Sequence, residues 1–356
     1  MRVAMDARRL QDEPYTGVGR IMIGLLPYVA AGVDLVLLTD ARRPPPALGS
    51  LASAIEVVPL RAPPRLPEVT WLQGPAANWL RHFDGLFHGT YNAVPFVGQR
   101  PSVVSMYDLT WEHHPEDFSV AHRYAFMAQA RWSARHCRAV LTCSEFSRQD
   151  IIATYGVPSN RVWNVPPSLD GIFSPDRAAA AGPILDRLGV SGPYIVAMGG
   201  AKRRGLPVAI EAWRRLPSDV RPMFVVVGSE APTPATGVVH AGRLNDADWS
   251  AVLAGATAFC YPTRYEGYGM PALEAAVSGV PVVCAPIGPL PEVLGDAAEW
   301  CASPTAPDIA VGLARVLTDE ARASGLRRAG LAQAANSPTW AESAATQLRA
   351  YELALT

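Results

Sequence analysis

A single lysine, Lys202, stands in a chain of 356 residues, and every other basic residue counted with it is an arginine. The 31 Lys+Arg nearly balance 32 Asp+Glu, leaving a formal net charge of -1. No broad positive field exists to hold a polyanion, which argues against nucleic acid as a partner. Arginine suits bidentate phosphate recognition, but a GC-rich genome produces the same bias. Cysteine is also sparse: Cys137, Cys143, Cys260, Cys284 and Cys301 form no C-x-x-C pair, so neither a zinc knuckle nor a disulfide framework is suggested. They read as small buried hydrophobes of a reducing compartment. Long apolar runs are missing too. The stretch Ile21 to Val33 contains Pro27 and falls short of the ~20 residues that cross a bilayer. The first residues, Met1 to Asp6, meet charge before a signal-peptide core can form, so a soluble cytoplasmic protein is expected.

What is present is apolar character, 49% of residues, over a length suited to two domains of roughly 100 to 200 residues each. Short β-rich runs alternate with amphipathic stretches, which is the grammar of βαβ units and of parallel sheets covered on both faces. In the first half, strands are expected at 2–5, 35–39, 56–60, 85–88, 103–106 and 139–143, with helices at 19–31, 69–83, 121–136 and 145–154. The second half repeats the grammar. Strands are expected at 194–198, 223–228, 258–261 and 281–285, with helices at 206–215, 246–255 and 270–278. Pro166-Pro167, Phe173-Ser174-Pro175 and the stretch Ala178 to Pro183 have linker chemistry, placing a boundary near residue 170. Three helical patterns close the chain at 307–317, 320–336 and 339–355. Two doubly wound domains in tandem would offer the carboxyl ends of two sheets to one cleft.

The segment Tyr261 to Ala275 carries the densest chemistry. A strand ends near Tyr261, a loop bearing Gly267 and Gly269 follows, and Pro271 stands in the first helical turn that proline favours. The glycines let backbone approach an anion, and the helix start offers free N–H donors. Glu266 in the loop and Glu274 one turn into the helix flank that site, as a grip on sugar or ribose hydroxyls requires. A lone pair of this spacing would usually only cap and solvate a helix.

The surroundings decide otherwise. Glu266 to Ala276, then Ser278-Gly279-Val280-Pro281 and Leu290-Pro291-Glu292-Val293-Leu294-Gly295-Asp296, resemble the signature of the retaining GT-B glycosyltransferases of family 4. So do Met5-Asp6-Ala7-Arg8, Thr16-Gly17-Val18-Gly19-Arg20 and Cys143-Ser144-Glu145-Phe146-Ser147-Arg148-Gln149-Asp150, in the family's order. The resemblance implies an α/β GT-B fold: two Rossmann-like domains in tandem facing a central cleft, with the C-terminal helix returning to the N-terminal domain. It divides the chain into an acceptor-binding domain at 1–170, joined by the helix at 340–356, and a nucleotide-sugar donor-binding domain at 171–339. It implies a nucleotide-diphosphate sugar as co-substrate, no cofactor and no obligatory metal. Glu266 would meet the donor sugar near its anomeric centre and Glu274 the donor ribose. Gly267, Tyr268, Gly269 and Met270 would meet sugar and diphosphate, and Gly17 and Gly19 would form an opposing loop.

Two departures from the family stand out. Where a histidine usually precedes the aspartate, the chain has Tyr107 before Asp108. Tyrosine donates one hydrogen bond and carries no positive charge near neutrality, so a tolerated swap, an altered donor and lost catalysis all stay open. The diphosphate clamp is shortened to Gly199-Gly200-Ala201-Lys202-Arg203-Arg204-Gly205, with Arg204 aligned to the usual lysine. Three adjacent cations at the end of a strand make a counter-charge for diphosphate. His113 and His114 lack the i, i+4 spacing of metal ligands and read as loop histidines. His88, Tyr91 and Asn92 follow a strand and are acceptor-binding candidates, although a satisfied structural role for His88 is an equal reading.

The chain thus reads as a retaining hexosyltransferase of surface polysaccharide or glycolipid assembly, with GDP-mannose the first donor to test. Alternatives are a natural-product tailoring enzyme using a UDP- or dTDP-sugar, and a pseudoenzyme that only binds nucleotide sugar. The acceptor is a small molecule, a glycan or a lipid-linked glycan. Arg123, Arg131, Arg135 and Arg138 would permit peripheral contact with the inner face of the cytoplasmic membrane. The oligomeric state is left open.

Overall fold

The computed structural model describes every residue except 14, 63–67, 98–100, 170 and 233, and no side chains at 68, 69, 121, 122 and 125. The chain divides into two units, Met1–Ser168 with Pro338–Thr356, and Leu169–Ser337. Residue 170, where the linker chemistry places the boundary, lies outside the described residues.

The first unit is built on seven strands: β1 (Arg2–Asp6), β2 (Asp34–Asp40), β3 (Glu56–Leu60), β4 (Leu86–Gly89), β5 (Ser102–Ser105), β6 (Ala139–Thr142) and β7 (Val162–Asn164). Their order is β3-β2-β1-β4-β5-β6-β7 and each pairing is parallel. Alternate side chains leave opposite faces of a strand, and the core divides accordingly. Val3, Met5, Leu35, Leu37 and Leu86 join one apolar cluster, while Ala4, Val36, Leu38, Phe87 and Val104 join the other. The first cluster is roofed by Ile21, Leu25 and Val29 of the helix Gly17–Gly32 and by Ala344, Ala350 and Tyr351 of the helix Trp340–Leu355.

That last helix belongs to the first unit for identifiable reasons. Thr339 and Glu342 form a reciprocal capping box at its start. Ser343 then donates to the Pro166 carbonyl at 2.6 Å. Gly24 leaves room for the Trp340 ring, because a Cβ there would lie 2.4 Å from Cε2. Tyr351 is wholly buried, and removing an aromatic side chain from water contributes about 1.5–3 kcal/mol.

The second unit carries six parallel strands: β8 (Tyr194–Gly199), β9 (Met223–Gly228), β10 (Val238–Gly242), β11 (Ala258–Cys260), β12 (Val282–Cys284) and β13 (Ala298–Trp300). Their order is β10-β9-β8-β11-β12-β13. In both sheets the strand order reverses beside the unit's first strand, between β1 and β4 and between β8 and β11. Doubly wound sheets bind ligands beyond the carboxyl ends of the strands at that reversal.

Three strands escape the sequence reading, β7, β10 and β13, and each is the edge of its sheet. An edge needs less apolar cover; β10 has no buried residue at all. The expected helix at 69–83 is broken, with a widened turn at Leu72–Ala76 around Gly74 and Pro75. Proline removes a backbone donor there and forces the turn open. His113, expected in a loop, ends the short helix Thr110–His113 and pairs with Asp150 at 2.8 Å. Among the described residues no helix is long and apolar enough to cross a membrane.

Candidate functional site

At the reversal of the second sheet, β8 runs out at Gly199 and leads into the basic turn Lys202–Arg204. Its neighbour β11 leads into the loop that ends at the helix Met270–Val277. The two loops are tied together by backbone. Arg264 N–H donates to the Arg203 carbonyl at 2.8 Å, and the Thr263 hydroxyl reaches the same oxygen at 3.2 Å. Gly205, with φ +69°, makes this approach possible, because a Cβ there would lie 2.4 Å from the Pro262 carbonyl oxygen.

Glu266 is only 6% exposed, and its Oε1 accepts a 2.6 Å hydrogen bond from the Tyr261 hydroxyl. The Arg203 Nε lies 3.9 Å from the same oxygen. Burial raises the Tyr261 pKa, and the nearby Glu266 charge pushes it the same way, against Arg204 and Arg203. The phenol therefore stays a neutral donor fixing the carboxylate's orientation. Glu274, 1% exposed, accepts from the Trp249 indole N–H at 2.7 Å. Gly269 precedes the helix with φ +94°, and a Cβ there would lie 2.5 Å from Leu290 Cδ2. Gly267 and Tyr268 are buried in the same loop and Met270 is half-buried at the helix start.

The three cations of the basic turn differ. Lys202 is exposed, and Arg203 is the one beside Glu266. Arg204 is half-buried, carries a buried Nε with no hydrogen-bond partner among the described residues, and acts electrostatically on Tyr261. Tyr261, Thr263 and Trp249 were not singled out by the sequence. Tyr261 and Thr263 lie within the motif itself, whereas Trp249 stands on another helix, so no local signal links it to Glu274.

The first sheet's reversal is built differently. Asp6, at the end of β1, takes two hydrogen bonds from the Arg8 guanidinium, at 2.9 and 2.7 Å, and Arg8 lies 4.2 Å above the Trp71 ring. Thr90 donates to the Asp6 carbonyl at 2.6 Å. His88 is not open to an acceptor: Nε2 meets Ser105 Oγ at 2.8 Å, Nδ1 meets the Tyr351 hydroxyl at 2.6 Å, and the residue is 3% exposed. The acceptor-binding reading of His88 is thereby corrected, since both ring nitrogens are engaged inside the fold. Burial lowers its pKa to about 3.

Tyr91 is half-buried with the Arg9 guanidinium 4.3 Å over its ring. Asn92 is buried with φ +59°, and its Oδ1 has no hydrogen-bond partner among the described residues. Asp108 Oδ1 accepts from the Thr110 N–H and hydroxyl, at 2.9 and 2.7 Å, just ahead of the helix Thr110–His113. Tyr107 is half-buried, and burial raises its pKa. Gly17 and Gly19, expected in a loop, lie in the first turn of the helix Gly17–Gly32 because Thr16 caps it through Gly19 N–H at 3.3 Å. A Cβ on Gly19 would lie 2.9 Å from the Arg9 carbonyl oxygen, whereas Gly17 faces open space. Among the described residues no group of three His, Cys, Asp or Glu gathers that could hold a metal ion.

Two doubly wound units, the second with carboxylates and arginines at its switch point, define the GT-B class of glycosyltransferase. Residues 15–170 match the model of Glycosyltransferase Family 4, and residues 191–333 match that of Glycosyl transferases group 1. The chain belongs to this family 4, group 1 lineage of glycosyltransferases. It is 27% identical to the O-antigen chain mannosyltransferase B of Escherichia coli, over 96% of this chain and 97% of that protein. The MMP alpha-(1->4)-mannosyltransferase of Mycolicibacterium hassiacum is 28% identical over 65% of this chain and 58% of its own length. Among solved structures, the lipopolysaccharide-biosynthesis glycosyltransferase WaaG superposes with a TM-score of 0.75 at 16% identity, covering 96% of this chain and 97% of that one. Anabaena HepE in complex with UDP and glucose gives 0.74 at 16% identity, with 98% of each chain covered.

Proposed function

We propose that the chain transfers a hexose, mannose first, from a nucleotide-diphosphate sugar to a hydroxyl of a glycan or lipid-linked glycan, with retention at the anomeric carbon. The observation that carries this reading is the convergence of Glu266, Arg203 and Arg204 at the switch point of the second sheet. Similarity over nearly the whole length to an O-antigen mannosyltransferase supports mannose and polysaccharide assembly. Glu274 holds the ribose, the N–H groups opening the helix Met270–Val277 face the diphosphate, and Arg204 supplies its counter-charge. Glu266 lies against the donor sugar. The bond from C1 to the β-phosphate oxygen breaks, a bond from C1 to the acceptor oxygen forms on the same face, and the acceptor's proton passes to the departing diphosphate. Positioning and charge stabilisation do the catalytic work, and no metal is required.

The test is a panel of GDP-, UDP- and dTDP-sugars with acceptor extracts, following nucleotide release, binding by calorimetry and product anomers by NMR, with and without EDTA. Turnover of GDP-mannose to an α-linked product, indifferent to EDTA, is expected. Turnover only with a UDP- or dTDP-sugar would establish the tailoring reading that Tyr107 favours. Binding without turnover would mark a pseudoenzyme, and no binding at all would remove the donor-site assignment.

A further inference from the structure

We infer that Trp249 and Tyr261 are positioning residues for the donor site: each holds one oxygen of a buried carboxylate, Glu274 and Glu266 respectively, and the Phe259 ring between them joins the two into one support. The inference rests on the donor reading of those two carboxylates. Trp249 Nε1 donates to Glu274 Oε2 at 2.7 Å, and the Tyr261 hydroxyl donates to Glu266 Oε1 at 2.6 Å. Both bonds run one way. An indole N–H is a donor only, and a phenol whose pKa is raised by burial keeps its single proton for the carboxylate. Both donors are also neutral. They meet the hydrogen-bonding need of a buried carboxylate and fix its rotation without bringing an opposing charge of their own, as a lysine or arginine would. The Arg203 Nε stands 3.9 Å from Glu266, beyond hydrogen-bond reach.

The two donors come from different elements. Trp249 sits on the helix Asp246–Ala254, where the Asn245 side chain accepts from the Asp248 N–H at 2.9 Å at the start. The Tyr194 hydroxyl, at the start of β8, donates to the Val252 carbonyl of the same helix at 2.8 Å. Tyr261 stands one residue past β11, where its N–H donates to the Val283 carbonyl of β12 at 2.9 Å. Phe259, two residues earlier, presents its ring on the same face. That ring stacks on Tyr261 with centroids 5.2 Å apart and 25° between planes, and it meets Trp249 edge-on at 6.3 Å and 64°. All three rings are buried, and close packing leaves none of them room to shift without the next. A carboxylate set in this way needs little reorganisation when a ligand arrives or charge develops. Trp249 therefore acts on nucleotide binding, through Glu274, and Tyr261 acts on the transfer, through Glu266.

The test separates the support from the donor reading. In full-length protein labelled with 15N at tryptophan, the Trp249 indole signal, assigned through Trp249→Phe, is expected to exchange slowly with solvent. It should move upfield with Glu274→Gln and stay in place with Glu266→Gln. Fast exchange, or no response to Glu274→Gln, would overturn the support whatever the protein binds. In calorimetry with GDP, UDP, dTDP and their 2′,3′-dideoxy analogues, Trp249→Phe is expected to weaken binding of the nucleotide about tenfold and to leave its dideoxy analogue unchanged. Equal losses for both would reduce Trp249 to a structural residue. In nucleotide-release kinetics, Trp249→Phe should raise donor KM with kcat unchanged, and Tyr261→Phe should lower kcat about tenfold with donor KM unchanged. Phe259→Leu, which removes the middle ring and keeps the site apolar, should move both. Identical changes in the Trp249 and Tyr261 variants would overturn the division of roles. Should Trp249→Phe fail to fold, 3-benzothienylalanine at position 249 removes the N–H at nearly constant shape. Wild-type protein that binds none of the nucleotides would defeat the donor reading, and the positioning role with it, while the indole result would stand.

Discussion

The two sheets share the order of their first six strands, yet their switch points are finished differently. In the first unit most polar groups close on one another: Asp6 is clasped by Arg8, Thr90 bonds the Asp6 carbonyl, and His88 is bonded at both ring nitrogens, with Asn92 Oδ1 the exception. In the second, Glu266 accepts from the neutral Tyr261 hydroxyl with the Arg203 Nε 3.9 Å away, and the buried Arg204 Nε has no hydrogen-bond partner among the described residues. A polar group that is satisfied inside the protein stabilises the fold, while one left short of partners keeps its strength for a ligand. The shared topology therefore says little about which unit binds what; the state of the polar groups says more.

The sharpest way to break this comparison is to neutralise one carboxylate at each switch point. Asp6→Asn leaves half-buried Arg8 beside a neutral amide, and up to about 3 kcal/mol of stability should be lost with donor affinity unchanged in whatever folds. Glu266→Gln keeps its shape beside Tyr261 and should leave the melting temperature nearly unchanged while turnover falls about 100- to 1,000-fold. Thermal melts and nucleotide-release assays on the two variants check the contrast, and the same phenotype in both would erase it. Next in size, Glu274→Ala should weaken nucleotide-sugar binding about 10- to 100-fold, since it removes a charged partner and strands the Trp249 N–H. Calorimetry showing wild-type affinity would remove the ribose role. Smaller again, Arg204→Ala should weaken donor binding about tenfold, whereas exposed Lys202→Ala should change it less than about twofold. A larger effect from Lys202 would hand the diphosphate to the lone lysine.

The fold was legible wherever a strand is buried on both faces. Val3 to Met5, Leu35 to Leu38 and Phe224 to Val227 are continuous buried apolar runs. The edge strands leave no such run, because β7 carries half-buried Trp163, β10 exposed His240, and β13 the charged Glu299 between Ala298 and Trp300. At the site, the loop Glu266 to Met270 was legible because glycine, proline and acid recur at fixed spacing within a few residues. What joins distant segments was not. Trp249 reaches Glu274 across 25 residues and Tyr351 reaches His88 across 263, and nothing in the local pattern of either segment records its partner. That is why His88 looked equally suited to ligand or scaffold until the fold brought Tyr351 and Ser105 to its two nitrogens.

A pH dependence tests that scaffold role. His88 is held to about 3 in the folded protein, below the ~6.5 of an unfolded chain, so the unfolded state binds the extra proton first. Its contribution is present above pH ~6.5 and is lost as pH falls from there toward 3. Between pH 7 and 5.5 the loss should amount to about 1 kcal/mol, read from denaturant melts at the two pH values. The His88→Gln variant, lacking the titrating group, should show a flatter dependence over the same interval even though it is less stable throughout. An unchanged slope in the His88 variant would mean that the imidazole is reached by water, and the first switch point would then be as open as the second.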